Sequence, residues 1–195
     1  MDEETRNRLA IKKQSAQVKQ EVAAQSRLLA DWWLPALELV QNAGIDWRLE
    51  YLTAAGDDQL SHWEMQLQQM PWAKFPIEKL LVFAPSPYVH ESVATFFPGK
   101  HPLRYLPQLA SGPSTENSGG QQILKEAAQQ MGIGDQPVFF FFMRLSAVLQ
   151  LRFNDLVTLA AQGIFDAPED SCIAPADYSW LVFRSLEGEW QYGKR

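Results

Sequence analysis

The feature that most constrains the fold is the absence of glycine and proline from residues 3–30. This segment is rich in alanine, glutamine, lysine, arginine and glutamate, which have high helix propensity. Its apolar residues recur near spacings of three, four and seven, as on one helical face; they are Ile11, Val18, Val22 and Leu29, continued by Trp33, Ala36 and Val40. The pattern predicts an amphipathic N-terminal helix over residues 1–30 and a separate α+β domain over residues 31–195.

The apolar face of this helix is thin, because Ser15 and Gln25 interrupt it. Heptads this imperfect do not establish a coiled coil. Since tertiary contacts stabilise most helices in proteins, we expect the segment to pack on its own domain or to form a homodimer with a second copy. Pairing with a helix of another protein and fraying as a tail are the alternatives.

Residues 31–84 predict two helices and two strands. Asp31 can cap a second helix that ends at Gly44, and residues 45–52 alternate apolar and polar side chains as a half-buried strand does. A third helix begins after Gly56 and ends before Pro71, with Leu60, Trp63, Leu67 and Met70 on its apolar face. The apolar run over residues 78–84 predicts a central strand with both faces buried.

The remainder of the chain alternates between strands, helices and loops. We expect helices over residues 88–96, 121–131 and 154–162, and strands over residues 138–143 and 144–153. Residues 178–184 and 189–192 predict an antiparallel hairpin with Gly188 in its turn. The small polar residues of 111–120 predict a surface loop.

The aromatic content favours a globular fold. The chain contains 11 Phe, 7 Trp and 5 Tyr, and 46% of its 195 residues are hydrophobic, which is more buriable surface than a disordered chain offers. Together with the predicted elements, this indicates a single α+β domain. We expect a mixed sheet of about five strands packed against helices, preceded by the long N-terminal helix.

Charge and hydropathy argue against nucleic-acid and membrane partners. The chain has 17 Lys and Arg against 23 Asp and Glu, and this net charge of −6 repels phosphate backbones. The most apolar stretch, residues 138–151, is shorter than a membrane span and contains Arg144. The acidic start lacks the apolar core of a secretory signal, and the single cysteine suits a reducing compartment, so we expect a cytoplasmic protein.

The familiar motifs of catalysis and cofactor binding are missing from the sequence. It contains no phosphate-binding Gly-x4-Gly-Lys-Ser/Thr loop and no Gly-x-Ser-x-Gly nucleophile motif. Carboxylates surround the only cysteine, Cys172, and discourage thiolate formation, so we interpret it as an inert thiol in a loop or a half-buried position. We therefore expect no cofactor and no metal.

Three residues form the one cluster that could support catalysis. His90 and Glu91 are adjacent, and a proline-containing segment could bring His101 close to them. The spacing is not that of a metalloprotease helix, because the two imidazoles would not share one helical face. A small enzyme that uses His90, Glu91 and His101 is therefore our alternative hypothesis.

The leading hypothesis is a non-catalytic protein-binding module, such as an inhibitor, an immunity-type protein or an assembly factor. Trp32, Trp33 and Trp72 lie beside predicted turns or prolines, where complete burial is harder, and tryptophan is enriched at interface hot spots. We therefore predict these three side chains as the binding residues. The basic residues of the first helix lack interleaved aromatics, which speaks against nucleic acid as the partner.

Overall fold

The computed structural model describes residues 3–51, 57–83, 89–98, 110–111, 119–143 and 147–195. Within them lie five α-helices: α1 (Glu3–Asn42), α2 (Asp57–Leu67), α3 (Val89–Phe96), α4 (Gly120–Met131) and α5 (Phe153–Ala160). The strands are β1 (Arg48–Tyr51), β2 (Val82–Phe83), β3 (Ala110–Ser111), β4 (Pro137–Phe142), β5 (Ala147–Arg152), β6 (Ser171–Ala174), β7 (Trp180–Arg184) and β8 (Trp190–Lys194). Two short 3-10 helices cover Trp72–Lys74 and Ile77–Lys79.

The eight strands form one mixed sheet in the order β2-β1-β5-β4-β6-β7-β8-β3. β1 and β2 are parallel, and every other neighbouring pair is antiparallel. Six of the strands have four residues or more, while β2 and β3 have two each. The predicted fold class, a mixed sheet packed against helices, is confirmed.

Both faces of the sheet carry a hydrophobic core, because successive side chains of a strand point to opposite sides. In β4, Phe140 and Phe142 join the larger core, which α1, α2, α4 and α5 cover. Phe141 points to the other side and packs in a smaller core with Val89 and Val93 of α3. The continuous run of phenylalanines in β4 thus reflects a central strand buried on both faces.

Helix α1 is longer than we predicted and is uninterrupted. The prediction of a second helix capped by Asp31 is wrong, since α1 runs from Glu3 to Asn42 with Pro35 inside it. Position 30, where we placed a domain boundary, lies within this helix. Asp31 therefore has helical neighbours on both sides, and the lack of a glycine before it let the helix continue.

Most of the other predicted elements are confirmed, with ends shifted by a few residues. β1, α2, α3, α4, β4, β5, α5 and the β7–β8 hairpin all lie where the periodicity placed them. Gly132 ends α4 in the left-handed region (φ 64°), and Gly188 adopts φ 86° in the hairpin turn. In the predicted loop 111–120, residues 112–118 lie outside the described residues.

One strand prediction was wrong, and one strand was not predicted. The apolar run 78–84 is not a central strand: Ile77–Lys79 form a 3-10 helix, Leu81 has φ 46°, and the strand that follows is the two-residue β2 at the sheet's end. A left-handed residue cannot continue a strand, so β2 begins only after Leu81. β6 was not predicted at all, although Ser171–Ala174 are all buried between β4 and β7.

None of the described helices is long and apolar enough to cross a membrane.

Candidate interaction surface

The first half of α1 extends beyond the folded body of the protein. In residues 3–21, which we call the arm, the side chains are exposed except for Thr5, Ser15 and Val18, which are half-buried, and full burial begins only at Val22. Leu9 and Ile11 are 50% and 66% exposed. At 1.5 Å per residue the arm is about 28 Å long, so it is a substantial exposed helical surface.

The second half of α1 is held firmly on the body. Leu29, Trp33, Leu37 and Val40 belong to the larger core. The hydroxyl of Tyr51 in β1 donates a hydrogen bond of 2.8 Å to the side-chain oxygen of Gln25. Because α1 is one continuous helix, this anchored half sets the direction in which the arm extends.

A groove of about 390 Å³ lies between α1 and α2, at the base of the arm. The α1 wall contains Ala23, Ser26, Arg27 and Ala30, and the opposite wall contains Gln66, Gln69, Met70, Pro71 and Trp72. Met70 is 78% exposed. Methionine side chains adapt to different partners and are common at binding surfaces.

One stripe of side chains connects this groove with the arm. Leu9, Ala16, Ala23 and Ala30 follow one another at intervals of seven, and residues seven apart on a helix lie on nearly the same side. Ala23 and Ala30 line the groove, while Leu9 and Ala16 are exposed on the arm. We call these four residues the alanine stripe.

The arm is basic although the protein is acidic. The arm has five cationic side chains, Arg6, Arg8, Lys12, Lys13 and Lys19, and three carboxylates, Glu3, Glu4 and Glu21, which lie at its two ends; no Asp or Glu falls within residues 5–20. All five cations are exposed. Lys12 and Lys19 follow Leu9 and Ala16 by three residues and therefore border the alanine stripe.

The three tryptophans predicted as binding residues lie mainly in the core. Trp33 is 0% exposed, its ring packed on Phe140 and Phe142, and Trp72 is also buried. Neither ring offers a partner an accessible surface, which corrects our expectation that both are surface anchors. The reason is tertiary: the sheet covers Trp33, and Trp72 packs in the larger core at the edge of the groove. Trp32 is half-buried beside Phe142, at 6.1 Å between ring centroids.

The predicted catalytic cluster is only partly described. His90 and Glu91 lie in the first turn of α3, and His101 is outside the described residues. Nε2 of His90 is 3.1 Å from the carbonyl oxygen of Phe142, which can only accept, so this nitrogen donates. Glu91 is exposed. Within the described ranges, no three His, Cys, Asp or Glu side chains come together as a metal site.

Cys172 is fully buried in β6, not in a loop or half-exposed. Burial raises the pKa of its thiol well above the ordinary value, and the nearby charge of Asp170 raises it further. A thiol in this state is protonated and inaccessible. The correction concerns its location, since the neighbouring carboxylates that we noted do act in the direction expected.

A second, charged groove of about 440 Å³ lies where β1 begins and β5 ends. Three cations line it, Arg48, Lys79 and Arg152. Each pairs with a carboxylate: Arg48 with Glu50 at 3.1 Å, Lys79 with Asp46 at 2.7 Å and Arg152 with Asp135 at 2.7 Å. Because these charges are matched locally, the groove has less unpaired charge than the arm.

Glu50 differs from the other two carboxylates in being buried, at 6% exposure. Burial raises its pKa, and the attraction of Arg48 offsets this only in part. By contrast, hydrogen bonds from Lys79 and Arg152 lower the pKa values of the exposed Asp46 and Asp135. Glu50 is thus a group whose charge disfavours the folded state.

Sequence reasoning missed both the alanine stripe and Met70. The signal for the stripe was present as a seven-residue repeat of small residues, but we read the helix only for its larger apolar side chains. Met70 was assigned to the buried face of α2 because it continued the spacing of Trp63 and Leu67. In the structure α2 ends at Leu67, so Met70 lies beyond the helix and does not belong to its buried face.

Comparison of the chain with protein-family models, curated proteins and solved structures found no match.

Proposed function

We propose that this protein is a non-catalytic protein-binding module that acts in the cytoplasm as an inhibitor, an immunity-type protein or an assembly factor. The observation that carries this proposal is the arm, an exposed helix that presents Leu9, Ala16 and five cations to solvent. The binding residues we assign are Leu9, Ala16, Ala23, Ala30 and Met70.

Helix energetics support the proposal. An isolated helix of this length is marginal in water, and helices are stabilised mainly by packing of a face. Among the described residues the arm packs on the core only through Val18, and Leu9 and Ile11 are exposed. A partner that covered the stripe would bury apolar surface worth about 25 cal/mol per Å². A binding role accounts for the exposure of Leu9, which lies on the stripe.

Site-specific photo-crosslinking in the native cell tests the proposal. A photoreactive amino acid is introduced at Leu9, at Met70 or, as control, at the exposed Lys125 on α4. We expect one discrete adduct of the same mass from positions 9 and 70, and none of that mass from position 125. No adduct from positions 9 and 70, or an equal adduct from all three, would contradict a binding role for this surface.

A further inference from the structure

We propose that the alanine stripe pairs with an acidic α-helix belonging to a different protein. This inference rests on the proposed function and identifies the chemistry of the partner. It combines three properties of one surface: the net positive charge of the arm, the small residues along the stripe, and the open groove in which the stripe ends.

The charge of the arm selects an acidic partner. Five exposed cations stand within residues 5–20 without a carboxylate between them. The groove is also positively charged, because Arg27 is the one charged residue among those that line it, and the opposite wall supplies the neutral Gln66 and Gln69. Opposite charges flanking a helical seam set partner choice in paired helices.

The same charges disfavour a homodimer through the arm, which we considered from the sequence. Two arms aligned on their stripes would bring Lys12 and Lys19 of one copy against the cations of the other. This holds for parallel and antiparallel pairing, since residues 5–20 contain no acid in either direction. Like charges placed opposite each other repel, and this repulsion disfavours the wrong partner.

The small side chains favour a helix over nucleic acid. Alanines at intervals of seven let a second helix approach closely along the seam. The groove then receives the partner's end between α1 and α2, against the apolar side chain of Met70. Phosphate backbones need cations but make no use of an apolar seam, and residues 3–21 contain no aromatic side chain for base stacking.

A pair of designed peptides tests the charge selection on the full-length protein. Both are helical peptides of about four heptads with leucine at the seam; one carries glutamate and the other lysine at the flanking positions. Binding is measured by fluorescence anisotropy at low and high salt. We expect the glutamate peptide to bind, the lysine peptide not to bind, and the affinity to fall with salt.

Charge-swapped variants make the test specific to the stripe. Lys12→Glu together with Lys19→Glu should weaken binding of the glutamate peptide about tenfold and allow the lysine peptide to bind. The control, Lys125→Glu with Lys194→Glu, makes the same change of net charge at exposed positions far from the stripe. It should leave both affinities within about twofold, because remote exposed charges are screened.

Three results would overturn the inference. The first is binding of the glutamate peptide that the control variant weakens as much as the arm variant does, or no binding at all. The second is equally tight binding of a DNA duplex that is lost in Lys12→Glu/Lys19→Glu, which would assign the arm to nucleic acid. The third is a dimer in sedimentation equilibrium that dissociates in that variant, which would assign it to a second copy.

The two proposals fail separately. If photo-crosslinks form at positions 9 and 70 in cells but the peptides show no charge selection, the binding role stands and the acidic helix is wrong. If neither position forms an adduct in cells, the binding role itself is contradicted, whatever the peptides do.

Discussion

The ring centroid of Trp33 lies 4.8 Å from that of Phe142, and this contact joins the N-terminal helix to the central strand β4. Phe140 adds a second ring at 5.8 Å. Trp33 is fully buried, whereas its neighbour Trp32 is half-buried. The anchor that holds α1 on the body is therefore aromatic, and it lies more than ten residues beyond the arm.

The first prediction concerns this anchor. Trp33→Ala should lower the free energy of unfolding by about 3–5 kcal/mol, because it leaves a cavity against two phenylalanine rings. Trp32→Ala, the matched control, should cost less than half as much. Urea denaturation measures both, and Trp33→Phe provides a milder variant if the alanine variant does not fold. An equal loss from the two alanine variants would contradict the assigned packing.

The second prediction separates the arm from the body by truncation. A chain starting at residue 18 should keep the free energy of unfolding within about 0.5 kcal/mol, since it loses mainly exposed side chains. A chain starting at residue 30 loses the buried Val22 and Leu29 and should be destabilised by about 4 kcal/mol or more. Thermal and urea unfolding report the difference. A large loss from the shorter truncation would mean that the arm packs on the body.

The third prediction follows from the raised pKa of Glu50. Below its ordinary value of 4.5 the carboxyl is protonated in both the folded and the unfolded chain, so Glu50→Gln should match the parent protein. As the pH rises above 4.5, the unfolded chain releases the proton first and the parent loses stability until the folded pKa is passed. Glu50→Gln should therefore be the more stable protein at pH 7.

Denaturation midpoints at pH 4 and pH 7 measure this effect. Glu78→Gln makes the same charge change at an exposed position and serves as the control. If Glu50→Gln were less stable than the parent at pH 7, the attraction of Arg48 would outweigh the burial of the carboxylate, and our account of this pair would be wrong.

The fourth prediction uses the end of α4. Gly132 has φ 64°, and its amide donates to the carbonyl of Ala128. A side chain there meets no neighbour, so the cost of Gly132→Ala is conformational, at about 1 kcal/mol. Gly134→Ala, where φ is not positive and the space is also open, should be neutral or slightly stabilising. Equal changes in the free energy of unfolding of the two variants would show that the backbone angle φ does not determine the cost of the substitution.

The local elements were largely predictable because their signals are local. Alternation over residues 45–52 identified β1, and Gly132 and Gly188 marked ends that the structure confirms. Strand β6 carried no such signal, since Ser171–Ala174 are short, buried on both faces and rich in small residues. Its strand conformation comes from hydrogen bonds to β7, which follows it closely, and to β4, which lies about 30 residues earlier in the sequence.

The candidate surface was predictable only in part. The helix and its basic residues could be read from the sequence, but the tryptophans chosen as binding residues were judged by their neighbours along the chain. Burial depends instead on what packs against a side chain. Trp33 meets Phe140 and Phe142 from a strand more than 100 residues away, so no local pattern could indicate that it is buried.

By itself the sequence determined that the chain begins with a long helix, that this helix is basic on an acidic protein, and that a mixed sheet with helices follows. These properties depend on helix propensity, charge and hydrophobic periodicity, which can be read from residues that are close in sequence. Only the tertiary structure decided where along α1 burial begins, and hence that residues 3–21 are exposed while Trp33 is enclosed. That boundary depends on how far the sheet and α2 extend beneath the helix, which is a property of the packed elements and not of α1 alone.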